Sequence, residues 1–191
     1  MSAVLIVCVG NVCRSPYIKA RLQSQVSPGV HIGSAGVRAL VGEPLDPEIL
    51  QLLHEIHLDG KGFRGKQLTA EMVEAADLVL TVSRAIRSEV VQEHVRALSK
   101  TFVLADFADL AESLRAVRPD LDPAIPLRDR VRLAAARRAL LPPREAADAD
   151  IHDPYRLGPR GARLMQAQID AVLGPVVWLL GARSAHPQPQ E

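Results

Sequence analysis

The chain has 191 residues, enough for one domain with a full core, and its apolar fraction of 48% and charged fraction of 24% are ordinary for a globular protein. The net charge of +1 excludes a global attraction to nucleic acid or an anionic membrane, so any anion binding must be local. The sequence has no apolar run of about 18 residues and no signal-peptide pattern, which predicts a cytoplasmic protein without a membrane span.

The chain opens with the pattern of a strand, a loop and a helix. Residues 4–9 form an apolar, β-branched run, typical of a strand buried on both faces of a parallel sheet. Ser15, followed by proline, is a predicted N-cap. The apolar residues Ile18, Leu22 and Val26 then recur every four positions, which predicts one buried face of a helix.

The alternation of strands and helices continues to residue 117. Further strands are predicted over residues 30–35, 78–82 and 101–104. Helices are predicted after the N-caps Asp46, Thr69 and Ser83, and another helix is predicted over residues 105–117. This order predicts an α/β domain with a parallel sheet and right-handed crossovers.

Residues 115–150 have a different composition. Between positions 115 and 144 the chain carries eight arginines and three aspartates, and a basic, alanine-rich helix is predicted over residues 128–141. The segment is interpreted either as a solvated surface insertion or as a docking surface for an acidic partner.

The last part of the chain predicts one long helix and a tail. Over residues 160–180, Leu164, Ile169, Val172 and Leu173 are expected on the buried side, and the Gly-Pro pair at 174–175 is expected to break or kink the helix. We expect a single domain over residues 1–181, with the basic insertion at about 115–150 and a disordered tail over residues 182–191.

The loop over residues 8–15 has the composition of an anion site. It lies between a strand end and a helix N-terminus, where backbone N–H groups and the helix dipole attract anions. Gly10 and Asn11 tolerate the positive φ that such a loop needs. The same field favours the thiolate of Cys8, a nucleophile toward phosphorus, and Arg14 can hold two phosphoryl oxygens at once. Ser15 can donate a hydrogen bond to the Cys8 sulfur.

These residues resemble the signature of the low-molecular-weight protein tyrosine phosphatases, V-C-x-G-N-x-C-R-S-P. The matching segment is Val7-Cys8-Val9-Gly10-Asn11-Val12-Cys13-Arg14-Ser15-Pro16. The likeness includes Ser34-Ala35-Gly36, for which it implies a supporting role of Ser34. The resemblance implies a doubly wound four-stranded parallel sheet, flavodoxin-like with strand order 2-1-3-4, flanked by helices.

The resemblance also implies a general acid in an Asp-Pro-Tyr motif, which Asp153-Pro154-Tyr155 matches. Asp148 and Asp150 are nearby competitors. The implied activity is hydrolysis of phosphotyrosine through a cysteinyl-phosphate, with Cys8 as nucleophile, Arg14 as transition-state clamp and Asp153 as general acid and base. The implied substrate- and phosphate-binding residues are Val9, Gly10, Asn11, Val12, Cys13, Ser15 and Tyr155.

The sequence departs from the family's usual pattern at three places. No aromatic residue stands before Val41-Gly42, where the chain has Arg38, Ala39 and Leu40. Arg156 follows the Asp-Pro-Tyr motif where a second aromatic is common, and Phe63 stands where a histidine often supports the loop. The first two departures weaken the predicted aromatic slot for phosphotyrosine. Val12, in contrast, resembles the tyrosine-preferring members, whereas threonine would indicate a phosphoarginine phosphatase.

Two other functions share this loop. An arsenate reductase of the thioredoxin-coupled form needs further cysteines, and none follows Cys13. A catalytically silent phosphate-binding module would not need Cys8, Arg14 and Asp153 together.

Mild peroxide is expected to join Cys8 to Cys13 by a disulfide bond.

We expect no cofactor and no metal, because the two cysteines have neither C-x-x-C spacing nor a histidine at ligand distance. The expected partner is a phosphorylated protein substrate, with no nucleic acid and no membrane. The protein is expected to be a monomer or a weak homodimer.

Overall fold

The structure, a computed structural model, describes residues 2–142 and 144–183. Its strands are β1 (Ser2–Cys8), β2 (Val30–Gly36), β3 (Leu78–Thr81) and β4 (Thr101–Val103). They form one four-stranded sheet in the order β2-β1-β3-β4, and every neighbouring pair is parallel. The predicted doubly wound α/β fold is thereby confirmed. Most of the predicted tail, residues 184–191, lies outside the described residues.

Helices flank the sheet. They are α1 (Arg14–Gln25), α2 (Pro47–Glu55), α3 (Ala70–Ala75), α4 (Arg84–Glu93), α5 (Leu104–Val117), α6 (Leu127–Ala135), α7 (Ala146–Ala149) and α8 (Gly158–Leu180). Short 3₁₀ helices cover Val95–Lys100 and Ala136–Leu140. Within the two described ranges, no helix has the length and apolarity to cross a membrane.

Local hydrogen bonds confirm three of the predicted helix starts. The side chains of Asp46, Thr69 and Ser83 accept bonds from backbone N–H groups in the first turns of α2, α3 and α4. The strand order reverses at β1, which has β2 on one side and β3 on the other. Ligands of such sheets bind in the crevice outside the carboxyl ends of the strands at this reversal. That crevice begins at Cys8, the last residue of β1.

Helix α8 corrects two predictions. It continues through Pro175, so the predicted break at residues 174–175 is wrong. Leu164 is exposed, and Met165 faces the core in its place together with Ile169 and Val172. An interior proline costs a helix about 3 kcal/mol. Burial of the long apolar face of α8 is sufficient to offset that cost, because each large apolar side chain contributes about 1.5–3 kcal/mol.

The basic segment is anchored in the fold on one face. In α6, Leu127, Val131 and Ala134 are buried, whereas Arg132 on the outer face is exposed. The buried Arg130 donates from Nε to the carbonyl of Ile125 (3.0 Å) and from Nη1 to the carbonyl of Leu179 in α8. The segment thus has an exposed basic face and an inner face that belongs to the core.

We predict that Arg130→Ala lowers the free energy of unfolding by about 2–3 kcal/mol, because it leaves buried carbonyl groups without donors. Denaturant-induced unfolding measures this change. The matched control is Arg132→Ala, which removes only an exposed ion pair with Asp129 and is expected to cost less than about 1 kcal/mol. Equal losses in both variants would contradict the anchoring role of Arg130.

Candidate active site

The loop predicted to bind phosphate joins the central strand to the first helix. Cys8 ends β1 and Arg14 begins α1. Asn11 has the left-handed backbone conformation (φ 56°), whereas Gly10, which we expected to be able to adopt it, does not. Asn11 is also fully buried. The loop therefore turns at an asparagine whose side chain is enclosed in the protein.

The side chain of Asn11 holds the loop through a buried hydrogen-bond network. Its Nδ2 donates to Ser15 Oγ (2.8 Å), and its Oδ1 accepts from the backbone N–H of Lys66 (2.9 Å). Ser15 Oγ lies 2.9 Å from Cys8 Sγ, and the Asn11 backbone N–H donates to the same sulfur (3.2 Å). Because Ser15 Oγ accepts from Asn11, its own proton can point at the sulfur. This arrangement gives the Cys8 sulfur two hydrogen-bond partners, the Ser15 hydroxyl and the Asn11 N–H.

Ser15 is not the N-cap of α1, as the sequence pattern had predicted. Cys13 occupies that position, the helix begins at Arg14, and no side chain caps it. The physical reason is that the Ser15 hydroxyl is engaged with Cys8 and Asn11 instead of a backbone N–H. The predicted contact of the Ser15 hydroxyl with the Cys8 sulfur is present, at 2.9 Å.

The carbonyl groups of the loop are bonded to the segment after β2. Four backbone hydrogen bonds of 3.0–3.1 Å make this connection. Their donor and acceptor pairs are Val37 N–H to the Cys8 carbonyl, Arg38 N–H to Val9, Leu40 N–H to Gly10, and Asp46 N–H to Val12. Gly36 permits this contact, since a Cβ there would lie 2.3 Å from the Val9 oxygen. With these carbonyls satisfied by protein, the loop can present N–H groups to an anion.

Arg14 and Asp153 meet across the site although 139 residues separate them. Arg14 Nη2 lies 2.6 Å from Asp153 Oδ2, and Nη1 donates to the carbonyl of Ile151 (3.4 Å). The Arg14 side chain is 8% exposed, whereas that of Asp153 is 52% exposed. The guanidinium is therefore fixed from the protein side, and the carboxylate remains accessible to a substrate.

The segment before Asp153 is anchored at the end of β3. Asp150 accepts from the Arg84 N–H at the start of α4 (2.9 Å), and the Ile151 N–H donates to the Val82 carbonyl (2.9 Å). The Asp150 carboxylate is thus engaged with the first residue of α4, and Asp148 is exposed on α7. Of the three candidate acids, Asp153 is the one that lines the cavity with Cys8.

The cavity above the loop has a volume of about 150 Å³. It is lined by Cys8, Val9, Gly10, Asn11, Val12, Cys13, Arg14, Arg38, Leu40, Asp153 and Tyr155. Tyr155 is the aromatic side chain among them, and the Arg156 guanidinium lies 5.0 Å from its ring centroid. Arg38 and Leu40 also line the cavity, in the segment where the family's usual aromatic residue is missing. Arg38 is paired with Glu89 at 2.5 Å.

The two thiols differ in their surroundings, although both are free and buried. Burial, together with the charges of Asp46 and Asp153, raises the pKa of the Cys13 thiol far above its ordinary value. Cys13 therefore stays protonated at neutral pH. Cys8 accepts hydrogen bonds through its sulfur and is the one suited to act as a nucleophile.

Ser34 does not join the hydrogen-bond network of the loop. Its Oγ is buried and has no hydrogen-bond partner in the part of the chain that the structure describes. Ser34 and Phe63 line a separate cleft of about 660 Å³, and phenylalanine has no polar side-chain atom to offer the hydroxyl. Asn11 and the backbone of Lys66 support the loop instead, a tertiary contact that no local motif indicates.

Comparison with known proteins identifies relatives for this fold and loop. The family model described as low molecular weight phosphotyrosine protein phosphatase matches residues 3–123. The probable low molecular weight protein-tyrosine-phosphatase EpsP of Ralstonia nicotianae is 35% identical over 117 residues, which cover 60% of this chain and 80% of the relative. A protein-arginine-phosphatase of Geobacillus stearothermophilus is 33% identical over 134 residues, which cover 64% and 90%.

Two solved structures share the fold at low sequence identity. The YwlE arginine phosphatase from Geobacillus stearothermophilus superposes with a TM-score of 0.70 at 23% identity, covering 94% of this chain and 93% of that one. The tyrosine phosphatase Wzb from Escherichia coli K30 superposes with a TM-score of 0.64 at 23% identity, covering 93% and 96%. The family match ends at residue 123, so Asp153 lies beyond it.

We predict opposite outcomes for two serines. Ser34→Ala is expected to leave stability and kcat/KM nearly unchanged, because the hydroxyl it removes has no partner among the described residues. Ser15→Ala is expected to lower kcat/KM by about tenfold to a hundredfold, because it removes the hydrogen bond between Ser15 Oγ and the Cys8 sulfur. Steady-state kinetics and denaturant-induced unfolding measure both effects. A tenfold loss of activity in Ser34→Ala would instead establish the supporting role that the resemblance implied.

Proposed function

The chain belongs to the low molecular weight phosphotyrosine protein phosphatase family, and we propose that it hydrolyses phosphotyrosine in protein substrates through a cysteinyl-phosphate intermediate. The observation that carries this proposal is the convergence of Cys8, Arg14 and Asp153 on one small cavity. The nucleophile and the arginine come from one loop, and the acid comes from a distant segment of the chain. A module that only binds phosphate has no need of the exposed carboxylate beside the arginine.

In the first step the Cys8 thiolate attacks phosphorus. The S–P bond forms as the bond from phosphorus to the tyrosine oxygen breaks. Asp153, in its protonated form, gives its proton to that oxygen, so that tyrosine leaves as the neutral phenol. Arg14 pairs with two equatorial oxygens of the transferring group and stabilises the charge that they carry in the transition state.

In the second step water hydrolyses the cysteinyl-phosphate. Asp153, now a carboxylate, accepts a proton from the attacking water. The new P–O bond forms while the S–P bond breaks, and the electron pair returns to sulfur. The Ser15 hydroxyl, 2.9 Å from Cys8 Sγ, and the Asn11 N–H stabilise the departing thiolate. Inorganic phosphate then leaves, and its departure restores the Arg14–Asp153 pair.

Phosphoarginine is the second candidate substrate, since a relative that is 33% identical is named a protein-arginine-phosphatase. The charge at the cavity favours tyrosine. Arg156 lies over Tyr155, so a cationic substrate guanidinium packed on that ring would meet like charge, whereas Arg38 is already paired with Glu89. The neutral ring of phosphotyrosine meets no such repulsion and can pack on Tyr155, Leu40 and Val12. The two free thiols suit a reducing compartment, from which we infer that the enzyme acts in the cytoplasm.

The deciding experiment compares hydrolysis of matched phosphotyrosine, phosphoserine and phosphoarginine peptides. We expect the highest kcat/KM for phosphotyrosine and no turnover by Cys8→Ser. Cys13→Ser is the matched control and is expected to retain turnover, because the Cys13 thiol stays protonated and forms no bond to phosphorus. A preference for the phosphoarginine peptide would assign the second candidate function. Full activity of Cys8→Ser would exclude the cysteinyl-phosphate mechanism.

A further prediction concerns the dual role of Asp153. Asp153→Asn is expected to lower kcat by about 10²–10⁴-fold with phenyl phosphate, whose leaving group needs a proton, and by much less with 4-nitrophenyl phosphate. The same change removes the anion that competes with phosphate for Arg14, so inhibition by inorganic phosphate should become several-fold stronger.

The matched control for this prediction is Asp150→Asn, which keeps an acceptor for the Arg84 N–H and is expected to change neither quantity by more than about threefold. Equal losses of Asp153→Asn on the two substrates would rule out Asp153 as the acid.

A further inference from the structure

A second cleft, larger than the catalytic cavity, lies beside the carboxyl end of β4. Its volume is about 520 Å³. One wall comes from the first residues of α4 and α5, which follow β3 and β4, and the facing wall comes from the basic segment around Arg138 and Arg144. We call it the arginine cleft, because four arginines line it: Arg84, Arg87, Arg138 and Arg144. Two aspartates, Asp106 and Asp109, also line it.

The aspartates of the cleft are already engaged. Asp109 forms a bidentate pair with Arg144, at 2.6 Å and 2.7 Å, and this pair attaches the basic segment to α5. Asp106 lies 3.5 Å from Arg84 Nη2. Each of the two carboxylates thus pairs with one arginine, and neither of them neutralises the charge of the other two arginines.

Those two arginines, Arg87 and Arg138, have no ion-pair partner within residues 2–142 and 144–183. Arg87 Nε donates to the carbonyl of Thr101 (2.9 Å), which fixes its guanidinium in the cleft. The Arg138 guanidinium lies over the Phe102 ring, 5.3 Å from its centroid. Burial, and then the nearby charge of Arg138, lowers the pKa of Arg87, and the charge of Asp106 offsets only part of this effect. Two like charges therefore face one cleft, and a dianion would neutralise both.

The remaining lining indicates what carries that dianion. Phe102, Leu110 and Leu141 give the cleft an apolar surface, and its volume is typical of sites for small molecules. The N-terminus of α5, which has 14 residues and no side-chain cap at Val103, adds the positive end of one helix dipole, whereas the N-terminus of α4 is already bonded to Asp150 and Ser83. We propose that the arginine cleft is a second anion site, which binds a small organic phosphate with its phosphate group on Arg87 and Arg138 and its apolar part against the partly buried Leu141.

The cleft shares its wall with the segment that carries the proposed general acid. Arg84 lines the cleft, and its backbone N–H holds Asp150, three residues before Asp153. Arg84 Nη2 also donates to the carbonyl of Arg144. A ligand in the cleft would therefore bind against the same helix end that positions Asp153, while it touches none of the residues that line the catalytic cavity.

The probe for this site is phenylphosphonate, an aryl dianion with a P–C bond that the enzyme does not hydrolyse. Isothermal titration of the wild-type chain is expected to find two binding sites, and Arg14→Met is expected to retain only the one in the cleft. In the Arg14→Met background, adding Arg87→Gln and Arg138→Gln should lower the affinity of the cleft for phenylphosphonate at least tenfold. Inorganic phosphate alone should bind there at least several-fold more weakly than phenylphosphonate, because it lacks the apolar part.

The matched control for the cleft is the pair Arg128→Gln and Arg132→Gln, which removes the same charge from exposed positions of α6 outside the cleft. This control pair should change the affinity of the cleft for phenylphosphonate by less than twofold. A second measurement needs no variant: phenylphosphonate should shift the amide NMR signals of Arg84 and Leu104 in the wild-type chain. One binding site in the wild type, equal losses in the control pair, or equal affinity for inorganic phosphate would each overturn the proposal.

Discussion

The buried hydrogen bonds of Asn11 are the constraint on which the catalytic loop depends. A left-handed residue in a loop is stable only when its surroundings hold it, and here the Asn11 side chain bonds to Ser15 on one side and to the Lys66 backbone on the other. The same side chain orients the Ser15 hydroxyl toward Cys8. One enclosed amide thus sets the loop's turn, the proton direction of the serine and the surroundings of the nucleophile.

The site combines a part that matches the family closely with a part that lies outside the matched region. The loop and its carbonyl anchors lie within residues 3–123, whereas Asp153 comes later, after the basic segment. Two hydrogen bonds return the chain to the end of β3: the Arg84 N–H donates to the Asp150 side chain, and the Ile151 N–H donates to the Val82 carbonyl. The end of β3 lies beside β1. The basic segment between the loop and Asp153 can therefore differ in length and composition without changing the position of Asp153.

The basic segment, residues 115–150, contributes to the structure through two sets of contacts. Its inner face completes the core through α6 and Arg130, and its far end closes the arginine cleft through Arg144 and Asp109. The molecule therefore places two crevices that arginines line at the carboxyl edge of one sheet. The first is the smaller one and contains Cys8. The second is wider and has an apolar surface.

The sequence by itself determined the features that rest on local chemistry. The apolar runs predicted all four strands, and the caps Asp46, Thr69 and Ser83 predicted three helix starts, because a cap needs only the backbone within the next few residues. The spacing of Cys8 and Arg14 predicted the anion loop for the same reason: strand end, turn and helix start are consecutive in the chain.

Only the tertiary structure decided the features that need partners distant in sequence. Ser15 is drawn from the predicted cap position to Cys8 and Asn11, and Ser34 is left without a described partner. Pro175 remains inside α8 because burial of that helix offsets its local cost. The resemblance at Asp-Pro-Tyr implied Asp153, but its place in the cavity depends on β3 and α4, which hold Asp150 elsewhere. Spacing in the chain carries no information about such contacts, because they form only when the sheet brings its strand ends together.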